Sequence, residues 1–227
     1  MKPFLSLLQF ADGLFPAGAY AHSFGLEYYV QSGEVTDAAG VEAFLRAYLE
    51  GCTAPADAVA LVCARRYATQ NSLAACLALD ELVDAMKAPS ELRDASRQMG
   101  RQTLRVANHL HGGRLLCEFS DAVASESTPG HHPVVFGMIG GGLDWDALEM
   151  ASAFLYSTSA ALVGAALRLL PLGQLAGQRV LWNMQPLIAE LAEEAQEKSE
   201  SDMWSFAPIL EIASMQHALL DARLFRS

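Results

Sequence analysis

MASAFLYSTSAALVGAAL, residues 150 to 167, runs eighteen residues without a charge, and its reading decides the fold. A bilayer span begins at about 18 apolar residues, so length alone admits a membrane helix. Composition argues the other way. Alanine dominates, Ser152, Ser157, Thr158 and Ser159 interrupt the middle, and large apolar side chains are few. A helix apolar all round is buried in lipid or in a protein core, and this one is weakly hydrophobic for a span. The stretch therefore reads as the central helix of a helical domain, with no membrane implied. Its small residues at Ala153, Ser157, Ala161 and Ala165 recur every four positions and predict a face for close helix contact.

The rest of the chain must coat that helix. With 52% hydrophobic and 18% charged residues among 227, disorder is excluded and a sizeable core is available. Alanine and leucine are plentiful and alternating β-branched runs scarce, which indicates an all-α protein. We expect a single domain over residues 1–227, a bundle of about eight to ten helices around the Ala-rich helix at about 145–170. There is no internal repeat and no dividing linker. A net charge of -11 makes nucleic acid an unfavourable partner. The N-terminal MKPFLSLLQFADG has no cleavage-site pattern, so the expected location is cytoplasmic. Cys52, Cys63, Cys76 and Cys117 are far apart and read as buried, reduced thiols.

Periodicity and punctuation place the remaining elements. A short apolar segment, Phe4–Phe10, precedes a Gly/Pro loop. Helical spacing follows over Tyr20–Gln31 and stops at Ser32-Gly33. Thr36 or Asp37 caps a helix with Val41, Phe44, Leu45, Tyr48 and Leu49 on one face. Gly51–Pro55 reads as a break before a helix over Ala56–Ala68. Asn71 or Ser72 caps a helix to Met86, and Pro89-Ser90 restarts one from Glu91 to about His111. Residues 120–132 read as a mobile surface loop, and PVVFGMIGGGL (133–143) as helical or irregular. Asp144 is the expected cap of the central helix. A helix over Gln174–Glu197 carries Pro186 as a kink or break and ends in a solvated acidic face. Pro208 opens a last helix bearing Ile209, Leu210, Ile212, Met215, Leu219 and Leu220, before the basic-aromatic tail ARLFRS.

Few residues carry recognisable chemistry. There is no G-x-x-x-x-G-K-[ST], and Gly137, Gly140, Gly141 and Gly142 do not spell G-x-G-x-x-G. His22 and Ser23 are adjacent and diverge by about 100° on a helix, so a catalytic triad with Asp12 is disfavoured. His109, His111 and the pair His131-His132 supply too few ligands for a structural zinc site, although His131 and His132 in a loop are candidates for a divalent ion. Arg93, Arg97, Arg101 and Arg105 recur every four residues as a positive stripe. It is either a solvated face neutralised by acids such as Glu91 and Asp94, or a docking face for an acidic partner.

Several blocks resemble the urease accessory protein UreF family. FPAGAYAHSFGLE (15–27) resembles its F/L-P-x-G-x-F/Y-x-x-S-x-G-L-E signature, and Gln98-Met99-Gly100 its Q-M-G. His132-Pro133-Val134-Val135-Phe136-Gly137 resembles H-P-V-x-F-G. The run from Ser159-Ala160 through Ala165-Ala166-Leu167-Arg168-Leu169-Leu170-Pro171-Leu172-Gly173-Gln174 to Gly177-Gln178, and the terminal Arg223–Ser227, follow in family order. Ala218 after His217 departs from a glutamate often found there. The resemblance implies an all-helical, dimerising, non-enzymatic chaperone subunit without a cofactor. It would bridge UreD (UreH) and the GTPase UreG while nickel is inserted into urease apoprotein, with a tail near 221–227 that orders on binding UreD. The partner-binding candidates are then Phe15, Pro16, Tyr20, His22, Ser23 and Glu27, with Arg97 and Arg101, and Arg223, Leu224, Phe225 and Arg226. Two other roles stay open. Arg97, Arg101 or Arg223 would act as a side chain supplied to the GTPase, or His131 and His132 would carry nickel directly.

Overall fold

The computed structural model describes residues 2–227, and every regular element among them is helical. In chain order these are α1 (Pro3–Ala11), a 3-10 turn (Ala19–Ala21), α2 (Leu26–Gln31), α3 (Ala38–Tyr48), a π-helical segment (Leu49–Ala58), α4 (Val59–Thr69), α5 (Leu73–Met86), α6 (Ser90–Leu110), α7 (Arg114–Ala124), α8 (His132–Gly142), α9 (Ala147–Leu169), α10 (Gln174–Glu197), a second 3-10 turn (Glu200–Asp202) and α11 (Pro208–His217). One hydrophobic core joins them. The all-α reading is correct.

The opening stretch forms α9, which touches α1, α2, α3, α4, α8, α10 and the π segment. It is the one helix among the described residues long and apolar enough to cross a membrane, and half of its apolar window is buried within the chain. The buried side is Met150, Ala151, Phe154, Leu155, Leu162, Val163, Ala165 and Ala166. The expected close-contact row is only partly that. Ala165 is buried, whereas Ala153, Ser157 and Ala161 are half-buried, and Ser157 and Ala161 line an open groove.

Glycines on other helices make the close approaches instead. Extra Cβ atoms on α8 would overlap α4: at Gly137 against the Leu61 carbonyl, at Gly141 within 2.7 Å of the Arg65 carbonyl. Gly100 on α6 has the same relation to the Gly130 carbonyl. These glycines let α8 sit flush between α4 and α6, which explains PVVFGMIGGGL as a helix rather than an irregular segment. Trp145 then locks the turn into α9. It is buried, its Nε1 donates to Ser6 Oγ at 2.7 Å, and Arg65 Nε donates to its carbonyl at 2.6 Å.

Four local expectations change. Asp144 has a left-handed backbone (φ 55) and does not cap α9; Asp146 does, accepting from the Glu149 N–H at 3.0 Å. Asp37, by contrast, is the cap of α3. The predicted break at Gly51–Pro55 is a π-helical passage that carries the chain from α3 into α4. The segment before α11 ties this passage down, the Phe206 N–H donating to the Gly51 carbonyl at 2.8 Å and the Trp204 N–H to the Pro55 carbonyl at 3.3 Å. Pro186 does not break α10, which runs through it; it lies with Trp182 on the exposed face of the helix. Tyr20–Gln31 is not one helix. Left-handed Phe24 and Gly25 divide it, leaving the 3-10 turn and an extended His22 before them and α2 after.

The segment expected as a loop at 120–132 is shorter in the structure, since α7 takes residues up to Ala124 and α8 starts at His132. The connection is anchored by buried Asp80, whose carboxylate accepts from Thr128 Oγ1 (2.7 Å), Gly130 N–H (2.6 Å) and His131 N–H (2.8 Å). Asp80→Ala would strand three buried donors, each costing about 1–3 kcal/mol. We expect a loss of about 3 kcal/mol or more in urea unfolding, with new proteolysis confined to 125–131.

Candidate functional site

The residues of the 15–27 block meet the last five residues of the chain. His22 is extended, so Ser23 and Phe24 present successive N–H groups, both of which donate to the Ser227 backbone oxygen at 2.5 and 3.0 Å. Ser23 Oγ donates to the same oxygen at 2.9 Å, and His22 Nδ1 lies 2.8 Å from Ser227 Oγ. The Arg226 N–H donates to the Ala21 carbonyl at 2.9 Å. One turn on, the buried Glu27 carboxylate accepts the Leu224 N–H (2.7 Å) and the Phe225 N–H (3.0 Å). The tail is thus seated on its own chain, with Phe225 and Ser227 buried, where the resemblance implies ordering upon a partner.

Electrostatics reinforce the seat. His217, at the end of α11, is fully buried between two carboxylates, with Nε2 2.9 Å from Glu27 and Nδ1 2.8 Å from Glu91. Arg223 pairs with Glu91 at 3.0 Å on the same side. Burial pushes the Glu27 carboxyl up, but the Leu224 N–H, His217 and the Phe225 N–H outweigh it and hold it below its usual value. Arg168, from the end of α9, inserts its guanidinium between two rings, 3.7 Å from the Tyr20 centroid and 4.0 Å from that of Phe225, and donates to the Tyr20 carbonyl at 2.7 Å. The sequence does not assign His217, Glu91 or Arg168 to this site. Their partners lie 57 to 190 residues away, and no local spacing encodes such distances.

The remaining candidates divide. Phe15, Pro16 and Tyr20 line a groove of about 600 Å³ over the small residues Ala160, Ala161 and Gly164. His22, Ser23 and Glu27 are buried, so they act on the tail rather than on a partner's surface. Arg97 is bound to Asp84 at 2.8 and 2.5 Å, and Arg93 donates to the Lys87 carbonyl; only Arg101 and Arg105 of the stripe stand exposed. His131 ends the connecting loop as expected but is buried, with Nδ1 3.0 Å from Ser96 Oγ and Nε2 2.9 Å from Asp84. His132 begins α8 and packs against Phe136 and Phe154. Among the described residues no three His, Cys, Asp or Glu side chains are grouped to hold a metal ion.

Burial holds two imidazoles neutral, His132 at about 4 and His22, aided by the Arg226 charge, also at about 4. Unfolded histidines protonate near about 6.5, so between about pH 6.5 and about pH 4 the unfolded chain binds more protons and stability falls as pH falls. Urea midpoints at about pH 7.5 and about pH 5 check this, and His22→Gln should flatten part of the slope.

Beside the seated tail runs a band of exposed apolar side chains. Trp204, Phe206, Ile209, Ile212, Met215, Leu219 and Leu224 are between 47% and 74% exposed, while the opposite side of α11 (Leu210, Ala213, Ser214, His217) is buried. Exposed apolar side chains gathered on one side of a helix are of the type found at protein interfaces.

Comparison with known proteins gives a consistent result. The family model described as UreF matches residues 35–185, more than half of the chain. A urease accessory protein UreF of Bacillus sp. (strain TB-90) is 30% identical over 227 residues, covering all of both chains. Those of Lachnoclostridium phytofermentans and Arthrobacter sp. (strain FB24) are 31% and 32% identical over 223 residues, 98% of this chain and 98% and 96% of theirs.

Proposed function

Because this chain belongs to the UreF family of urease accessory proteins, we propose that it is the non-catalytic subunit that bridges UreD (UreH) and the GTPase UreG during nickel insertion into urease apoprotein. Family membership makes it an accessory chaperone rather than an enzyme. The bridging role rests chiefly on one observation, the seated tail beside the apolar band of α11. Leu224 and the α11 side chains together offer the aromatic and aliphatic anchors typical of an interface core, and Arg223 and Arg226 a basic edge. We assign this surface to UreD. The same reading makes the protein a cytoplasmic homodimer, with the second copy on the exposed apolar side chains of α1 and α9, Phe4, Leu5, Leu8 and Tyr156.

Deletion of residues 223–227 tests the assignment. The truncated chain should keep its helical content and lose most of its binding to UreD in a pull-down; undiminished binding would remove the tail from the interface. A second reading, a side chain supplied to the GTPase, is favoured by one feature. Arg97 and Arg223 are held by Asp84 and Glu91, whereas Arg101 faces solvent without a carboxylate partner. GTP turnover by UreG in the presence of Arg101→Ala discriminates, since bridging alone leaves turnover unchanged.

A further inference from the structure

A groove of about 470 Å³ runs between α6 and α7, on a different part of the chain from the tail and α11. Arg101 and Arg105 stand one turn apart along it, both exposed, and neither forms a salt bridge among the described residues. Val123 and Ala124 contribute apolar surface beside them, over the buried Leu104, with Asn108 and Ser120 as polar walls. Arg101 is held in position, since its Nε donates to the Pro129 carbonyl at 3.0 Å and that turn is fixed by Asp80. Its remaining N–H groups are free for a carboxylate, which a guanidinium meets with charge-assisted hydrogen bonds. The one acid lining the groove, Glu126, pairs with neither arginine. On a chain of net charge -11, two uncompensated cations along an apolar-floored channel form a local reversal of sign.

We propose that this groove docks an acidic segment of a partner protein, two of its carboxylates meeting Arg101 and Arg105 while an apolar side chain of the segment lies on Val123 and Ala124. The apolar floor selects a peptide over a bare anion, and the strongly negative remainder of the surface opposes a nucleic-acid backbone. Neither the tail nor α11 takes part, so this inference and the bridging assignment stand or fall separately.

The test is an NMR titration of the ¹⁵N-labelled full chain with a synthetic peptide repeating Glu-Glu-Leu, and with the same peptide carrying glutamine for glutamate. Backbone amides over 101–108 and 120–126 should shift with the acidic peptide, and the apparent Kd should weaken as salt is raised. The double variant Arg101→Glu, Arg105→Glu should bind at least tenfold more weakly at unchanged helical content. Arg114→Glu, on the exposed side of α7 and paired with Glu118, should bind as wild type does. Equal shifts with the glutamine peptide, equal loss in Arg114→Glu, or full reproduction of the shifts by inorganic phosphate would each overturn the proposal.

Discussion

Glu27→Gln is expected to unseat the tail while leaving the helical bundle standing. One oxygen of this carboxylate accepts from the Leu224 N–H and from Gln31 Nε2, the other from the Phe225 N–H and faces His217. Whichever way a glutamine amide is turned, its NH₂ replaces an acceptor and points at a donor. It also removes the negative charge beside His217. Breaking a buried, hydrogen-bonded pair costs about 3–5 kcal/mol. Part of that is recovered when the tail swings into water, so hydrogen exchange is the cleaner readout. The amides of Leu224, Phe225 and Arg226 should lose their protection in the variant, while those of α8 and α9 keep theirs. Retained protection at 224–226 would show that the tail is held by something else, with Arg168 the next element to remove. The sign with pH follows from the carboxyl being held below its usual value. The stabilisation is complete above the ordinary carboxylate range and is lost as pH falls through and below it.

The second large effect is expected where α8 meets its neighbours. At Gly137 a methyl group would overlap the Leu61 carbonyl and sit 2.8 Å from Ala64 Cβ, and at Gly100 it would overlap the Gly130 carbonyl. The obstacles are largely backbone, which cannot rotate aside, so a helix must move. Overpacking costs about 1–3 kcal/mol even where side chains can yield; we expect Gly137→Ala and Gly100→Ala at or above the top of that range. Gly164 on α9 is the internal control. Nothing lies within 4 Å of its added Cβ, so Gly164→Ala should stabilise by about 0.5–1 kcal/mol through helix propensity. Thermal melts of the three variants check the contrast, and a Gly137→Ala protein as stable as wild type would mean that α4 and α8 are not in the packing described.

That contrast also shows where sequence reading succeeds and stops. Helix identity is local, and the periods of α3, α6, α9 and α10 were legible to within a few residues. Close approach is not local. The Ala153–Ala165 row looks like a contact face because small residues permit contact, but whether a neighbour comes there depends on the whole packing, and the neighbours came to Gly137 and Gly141. The π segment escaped notice because glycine and proline normally end helices, and the donors that rescue it, the Trp204 and Phe206 N–H groups, lie about 150 residues on. In the site, the 15–27 block and the tail each attracted attention, but their union did not. His22, Ser23 and Glu27 enter as partner contacts only through the family resemblance, and their burial shows that they hold the tail instead. The role of His217 is hidden in the sequence because its two acidic partners come from α2 and α6.

The central claim is that this chain joins two partners that do not otherwise hold together. The direct measurement is retention of the UreG homologue on immobilised UreD homologue, with and without this protein and with an Ile212→Asp, Leu224→Asp variant that places charges in the apolar band. UreG should be retained only when the wild-type chain is present, and the variant should restore neither its own binding nor that of UreG. Retention of UreG without this chain, or undiminished retention with the variant, would contradict the account.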